Sequence, residues 1–205
     1  MMKNIRFTKE KYISDLKVKF ESYAPISKES WSQIESIIKF QEIDKDEILL
    51  ANGQIAKNVH FICEGALRAY VTDYHGNIYN KNIFLETDFA GSTVSYLKET
   101  PSNFTLEALE DTVLINLDYK KYRQLIDNNL DLKNFYIAYL EKNWVIEKEQ
   151  REVSLVMDNA TERYMELLSK YPNIDQRILQ LHIASHLGIT PTQLSRIRKD
   201  LKKNP

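Results

Sequence analysis

Ile183-Ala184-Ser185-His186-Leu187-Gly188-Ile189-Thr190-Pro191-Thr192-Gln193-Leu194-Ser195-Arg196-Ile197 reads as a helix, a tight turn and a second helix. Ala184 is small where two helices would cross closely, and Gly188 suits the left-handed conformation that ends a helix. Thr190 is a good N-cap, and Pro191 fits the first helical position, where its missing N–H costs nothing. On the second helix Leu194, Ile197 and Leu201 recur at three- and four-residue spacing and turn inward. That leaves Thr192, Gln193, Ser195, Arg196, Arg198 and Lys199 on outward or flanking surfaces, with Thr190 at the cap. Arginine grips guanine bidentately and glutamine adenine, while hydroxyls and lysine suit phosphate oxygens, so these positions are the candidate DNA contacts.

Charge distribution agrees with that reading. The chain of 205 residues is nearly neutral, at −1. From Asp158 onward, however, eight basic residues stand against five acids, and five of the eight fall in the last ten positions. A cationic field therefore lies where a phosphate backbone would meet it. A plain helical hairpin with a solvated basic face is the competing reading. The joint presence of small residue, turn glycine, cap, proline and basic polar face favours DNA.

Upstream, a helix over Ala160 to Lys170 is closed by Tyr171-Pro172-Asn173, because proline disfavours helical geometry in the residue before it. Asp118 to about Met157 contains neither glycine nor proline and is expected to form one long helix, straight or kinked early. Within it Leu132, Tyr136, Tyr139, Asn143, Ile146, Gln150 and Val153 follow alternating steps of four and three, the rhythm of a two-helix seam, with the polar pair Asn143 and Gln150 able to fix register. Phe135, Leu140, Trp144 and Val145 widen the apolar surface, so packing on the helix's own domain is expected as well. Further back, Phe40 to about Leu117 consists of short runs rich in Val, Ile, Phe and Tyr. They are separated by Ala51-Asn52-Gly53, Glu64-Gly65, His75-Gly76-Asn77 and Ala90-Gly91-Ser92, at the spacing of sandwiches and barrels. Two helices, Lys9 to Tyr23 and Ser27 to Lys39, precede them, with Ser27 as a cap.

Composition excludes several classes. At 43% hydrophobic and 28% charged the chain is globular. It has no apolar run long enough to span a membrane, and Met1 to Phe7 lacks a signal core, so a cytoplasmic location without membrane contact is expected. The single cysteine, Cys63, excludes an internal disulfide and a cysteine-held cluster. His182 and His186 have the i, i+4 spacing of a zinc face but no accompanying acid, so a surface pair and no metal are expected. No nucleophile with a matching base, phosphate loop or paired carboxylates is visible, and no enzyme activity is expected.

At this point the whole chain resembles the cyclic AMP receptor protein and fumarate-nitrate reductase regulator (Crp/Fnr) family. Ile183 to Ile197 is similar to its helix-turn-helix, and Phe61-Ile62-Cys63-Glu64-Gly65-Ala66-Leu67-Arg68 to its central β-roll hairpin, with Gly53, Gly65 and Gly76 at its turn positions. The resemblance implies an α+β fold in three parts. These are an N-terminal double-stranded β-helix (jelly roll) sensor with flanking helices over 1–118, a long dimerisation helix over 119–157, and an all-α helix-turn-helix domain over 158–205. It implies a homodimeric transcription regulator on double-stranded DNA, with RNA polymerase and a small-molecule effector as further partners. Thr192 and Arg196 match base-contacting positions. Pro191 stands where a basic contact residue often does, so a different operator is expected. The family's β-hairpin wing usually follows the second helix, yet the sequence stops at Lys202-Lys203-Asn204-Pro205, so backbone contacts from a wing are not assumed.

Cyclic-nucleotide binders of this family use a Gly-Glu-Leu carboxylate for the ribose and an Arg-Ser or Arg-Thr pair for the phosphate. Gly91-Ser92-Thr93 and Ser102-Asn103 stand there instead, without carboxylate or arginine, and a buried phosphate without a cation is costly. The effector is therefore expected not to be cyclic AMP. A pocket of Gly91, Ser92, Thr93, Ser102 and Asn103 would hold another small molecule or be a closed vestige, and no cofactor is expected. The family's oxygen-sensing branch needs several cysteines and is excluded too. The alternative is a cupin-like small-molecule or metal protein without DNA binding, for which only His60 and His75 lie in the β region.

Overall fold

The computed structural model describes residues 2–203, with side chains over 8–202. Met1, Asn204 and Pro205, and the side chains on which the reading of Met1 to Phe7 rests, lie outside the described residues. Two helices open the chain, α1 (Met2–Glu21) and α2 (Lys28–Ser36). Ser27 caps α2, its Oγ accepting from Ser30 N at 3.1 Å. The sequence pattern carried this helix to Lys39, but it ends at Ser36 and β1 (Ile38–Ile43) begins at once. Strand pairing along β1 overrides the helical spacing of Ile34, Ile37 and Ile38, a case of tertiary context outweighing local preference.

The other strands are β2 (Ile48–Leu50), β3 (Asn58–Glu64), β4 (Leu67–Thr72), β5 (Ile78–Phe84), β6 (Phe89–Ala90), β7 (Thr105–Ala108) and β8 (Thr112–Asp118), with a short helix α3 (Thr93–Lys98) after β6. They form two antiparallel sheets in the orders β1-β8-β3-β6 and β2-β7-β4-β5. Ile62 and Leu114 from one sheet and Leu67 and Ala108 from the other meet in a shared core. The segment Phe61 to Arg68, expected as a hairpin, is instead a crossover, because β3 lies in the first sheet and β4 in the second. Gly65 makes that step at φ +92°, and a Cβ there would lie 2.4 Å from Thr112 Oγ1 and 2.6 Å from the Asp111 carbonyl. Both the backbone conformation and the space therefore demand glycine. The true hairpin joins β4 to β5 around Gly76.

The expected single long helix is broken. It consists of α4 (Tyr119–Asn128), a residue of extended backbone at Asn129, α5 (Leu130–Leu140), a π-helical turn (Glu141–Ile146) and α6 (Glu147–Met157). Asn129 Nδ2 donates to Leu125 O at 2.9 Å and Gln33 Oε1 at 3.0 Å. Asp131 accepts from Ser27 N at 2.8 Å and from Ser30 Oγ at 2.7 Å, which ties the start of α5 to α2. Such side-chain bonds offer the backbone an alternative to helical continuation.

Nor does the expected seam run along one face. Leu132 is fully buried, and the neighbouring Phe135 stacks on Phe20 at 4.1 Å. Asn143 donates to Tyr23 OH at 3.1 Å and to Tyr139 O at 2.8 Å. These residues close their own chain's core between α1 and the first sheet. Ile146, Gln150 and Val153 are exposed. The π turn accounts for the split, since an inserted residue rotates everything after it relative to a seven-residue count.

Four helices finish the chain: α7 (Ala160–Lys170), α8 (Ile174–Arg177), α9 (Gln180–Leu187) and α10 (Pro191–Lys203). Their core of Tyr164, Leu167, Ile183 and Leu194 is continuous with Ala66, Ile83, Leu85 and Leu109 of the β region. The C-terminal helices are thus packed onto the outer side of the sandwich. Among the described residues no helix is long and apolar enough to cross a membrane.

Candidate functional site

Two regions bear on function: the exposed side of α10 and a cavity in the sandwich. Gly188 at φ +69° ends α9, with Gly188 N donating to Ser185 O and Ile189 N to Ala184 O. Thr190 and Gln193 then cap α10 reciprocally. Gln193 N donates to Thr190 Oγ1 at 3.2 Å, and Thr190 N donates to Gln193 Oε1 at 2.9 Å, the geometry of a capping box. Leu194 is fully buried beneath the helix, and Ile197 and Leu201 pack on the same cluster. Arg163 Nη2 donates to Leu187 O at 3.2 Å, and Gln180 Nε2 to Pro191 O at 2.5 Å, so both helix ends at the turn are held.

Thr190, Thr192, Gln193, Ser195, Arg196 and Lys199 share the exposed surface of this helix and its cap. Gln193 carries a second role, because its carbonyl oxygen is committed to the cap. Arg198 does not join them. It is half-buried, with Nε donating to Tyr164 OH at 3.1 Å and Nη2 paired with Asp175, so the guanidinium locks α10 onto α7 and α8. Burial raises the pKa of Tyr164 to about 12, which keeps its hydroxyl protonated as donor to Asp175.

His182 and His186, expected at the surface, face the second sheet instead, His182 toward β4 and His186 toward β5. Arg68 Nη1 lies 3.0 Å from His182 Nδ1, and His186 Nδ1 lies 3.4 Å from Asn80 O. Burial lowers the pKa of His186 to about 4, with Arg151 adding to the effect, and burial followed by Arg68 lowers that of His182. The reason is register: the inward positions of α9 include Ile183, Ala184 and Leu187, and the two histidines flank that stripe.

Sequence reasoning passed over the residues that fix α9 to the sandwich. Asn80, 3% exposed, donates through its backbone N to Ser185 Oγ at 2.9 Å and through Nδ2 to His182 O at 2.9 Å. Buried Arg68 pairs with Glu107 at 2.9 Å. Arg177 bridges Glu86 at 2.7 Å and Glu110 at 2.6 Å, and also donates to Gly65 O at 3.3 Å. A buried-strand arginine such as Arg68, set in an otherwise apolar alternation, was the available signal.

The cavity occupies about 80 Å³ and is bounded by Lys81, Asn82, Gly91, Thr93, Tyr96 and Trp144, with further aromatic rings. Of the residues expected to form an effector pocket, Gly91 and Thr93 line it. Ser92 and Ser102 are buried outside its lining, Ser102 Oγ donating to Phe104 O at 2.9 Å, and Asn103 is exposed. A Cβ at Gly91 would meet the Tyr96 ring at 3.3 Å, close enough that the ring would have to shift slightly. His60 and His75 do not come together: His60 is bonded to Asn116 at 2.6 Å with its pKa lowered by burial to about 4, and His75 is at the exposed β4–β5 hairpin. Among the described residues no three His, Cys, Asp or Glu side chains form a group that could hold a metal ion.

Residues 40–129 match the family model described as a cyclic nucleotide-binding domain. No curated protein matches the chain. Among solved structures it is similar to FixK2 from Bradyrhizobium japonicum, at 18% identity and a TM-score of 0.66, covering 82% of this chain and 85% of that one. It is similar to the c-di-GMP responsive global regulator CLP from Xanthomonas campestris at 12% identity and a TM-score of 0.65, covering 87% and 93%. Catabolite activator protein from Thermus thermophilus aligns at 19% identity and a TM-score of 0.54, covering 87% and 84%. Residues 40–129 thus resemble a cyclic nucleotide-binding domain, and the overall fold is shared with these solved proteins.

Proposed function

We propose that the chain is a sequence-specific DNA-binding transcription regulator of the Crp/Fnr type, acting as a homodimer, with α9 and α10 as its helix-turn-helix and the β-sandwich as a sensor. The observation that carries this reading is the exposed row Thr192, Ser195, Arg196 and Lys199 on a helix whose inner side is locked by Leu194 and Arg198. A rigidly mounted helix offering hydroxyl, guanidinium and ammonium groups meets the requirements of major-groove reading. Likeness in fold to a catabolite activator protein and a global regulator supports it. The exposed apolar strip Ile137, Val145, Ile146, Val153, Val156 and Met157 supports pairing of two copies through α5 and α6. The cavity wall carries neither a carboxylate for a ribose nor an arginine for a cyclic phosphate, which supports an effector other than cyclic AMP.

Selection of bound duplexes from a random pool tests the assignment. The expected product is a roughly two-fold symmetric site with half-sites about 34 Å apart, bound with an affinity that falls linearly on a log–log salt plot at a slope of about −0.9 per neutralised phosphate. Equal retention on selected and scrambled duplexes would remove the DNA role.

A further inference from the structure

The cavity has a chemical character that neither the fold nor the DNA face explains. Its walls are aromatic, with Phe84, Phe89, Tyr96, Phe104, Tyr139 and Trp144 among them. One charged side chain, Lys81, lines it, and no carboxylate does. A β-bulge puts that lysine there. Tyr70 pairs with Asn80 and Ala69 with Asn82, so Lys81 is the extra, unpaired residue of β5. Bulges re-aim side chains and free backbone groups. The freed carbonyl of Lys81 accepts from Arg151 Nη2 of α6 at 2.6 Å, which brings a second cation behind the first.

The ammonium lies 4.6 Å from the centroid of the Phe104 ring and has no ion-pair partner among the described residues. Lys81 is exposed, so an anion can reach its ammonium from solvent, and partial desolvation followed by Arg151 lowers its pKa. At about 80 Å³ the space is well above the roughly 10–15 Å³ that one water needs, so it admits a small molecule. A single ring bearing one acidic group is a small organic anion that would use both the aromatic walls and the ammonium.

Resting on the reading of the sandwich as a sensor, we propose that this cavity binds a small aromatic monocarboxylate, its ring among Phe89, Tyr96 and Trp144 and its carboxylate on Lys81. The test is a titration of the full chain with benzoate and with its neutral isostere benzamide, read as the change in tryptophan fluorescence, since Trp144 lines the cavity and Trp31 does not. Benzoate is expected to bind at least about tenfold tighter, the scale of one charge-assisted hydrogen bond. Lys81→Met should bring the two ligands to equal affinity, and Lys81→Arg should keep the preference for benzoate, with urea unfolding midpoints verifying that both variants fold. Equal affinities in the parent chain, no saturable response to benzoate, or a preference that survives Lys81→Met would each overturn the proposal. No DNA enters the titration, so its outcome is separate from that of the duplex selection; benzoate binding that leaves DNA affinity unchanged would count against the sensor role alone.

Discussion

Two arginines two residues apart on α10 have opposite assignments, and the difference is measurable. Arg196 is exposed, whereas Arg198 pairs with Asp175 and donates to Tyr164. Arg196→Ala should cost about 1–3 kcal/mol of binding to a selected duplex and relax discrimination at one base, with an unchanged urea midpoint. Arg198→Ala should lower unfolding stability by roughly 1–3 kcal/mol through loss of charged hydrogen bonds. Fluorescence anisotropy and urea unfolding on the same preparations separate the two; a stable Arg198→Ala protein would refute its structural role. The buried histidines set a pH dependence. His60 and His186 have pKa values of about 4 in the folded chain, below the unfolded value of roughly 6.5. Between those limits the unfolded chain binds the protons, so stability is full above about pH 6.5, declines as pH drops toward 4, and levels off below. His186→Asn should reduce the slope of unfolding free energy against pH in that window by about one proton. An unaltered slope would place His186 in solvent.

At the scale of elements, the helical stretch after β8 divides into a part that closes the core and a part left uncovered. Leu132→Ala is expected to cost about 2–5 kcal/mol of unfolding stability, the range for a leucine removed from a packed interior. Ile146→Asp and Val153→Asp, on the exposed strip, should leave the unfolding transition of the single chain in place and convert a dimer to a monomer in light scattering. A monomeric parent chain would show instead that the strip has another use. The sequence made the C-terminal pair of helices readable because its determinants are local: Gly188 takes a left-handed φ, and Thr190 and Gln193 cap one another across three residues. The β region was readable for the same reason, from turn glycines. The break at Asn129 and the π turn were not, because the first is held by Gln33 and by the Ser27–Asp131 contacts, from about a hundred positions away. The bulge at Lys81 lacks any glycine or proline, and only the pairing with β4 defines it. Of the expected pocket residues Gly91 and Thr93 line the cavity, and so does Lys81, which nothing in its sequence neighbours marks.

Across the whole molecule, β5 is the element that touches everything of interest. Lys81 reaches the cavity, its carbonyl holds Arg151 of α6, and the adjacent Asn80 holds His182 and Ser185 of α9. A ligand on Lys81 would therefore act one residue from the contacts that orient α9, and through it α10, the helices proposed to meet DNA. Coupling of this kind requires the ligand to bind two arrangements with different affinity, so the docked arrangement must be able to open. Polar ties at Asn80 and Arg177 stand beside the apolar core at this junction, and such ties are worth about 0.5–1.5 kcal/mol each when neutral, more when charged. Asn80→Ala removes both the donor to His182 O and the acceptor for Arg68. Amide hydrogen exchange is expected to rise roughly 5- to 150-fold along α9, for a loss of about 1–3 kcal/mol, while β3 and β8 in the opposite sheet keep their protection. Exchange that rose equally in all strands would mean that Asn80 supports the fold as a whole. Exchange that rose nowhere would mean that the apolar contact of Ile83 and Leu85 with Ile183 and Leu187 suffices to hold the helices in place.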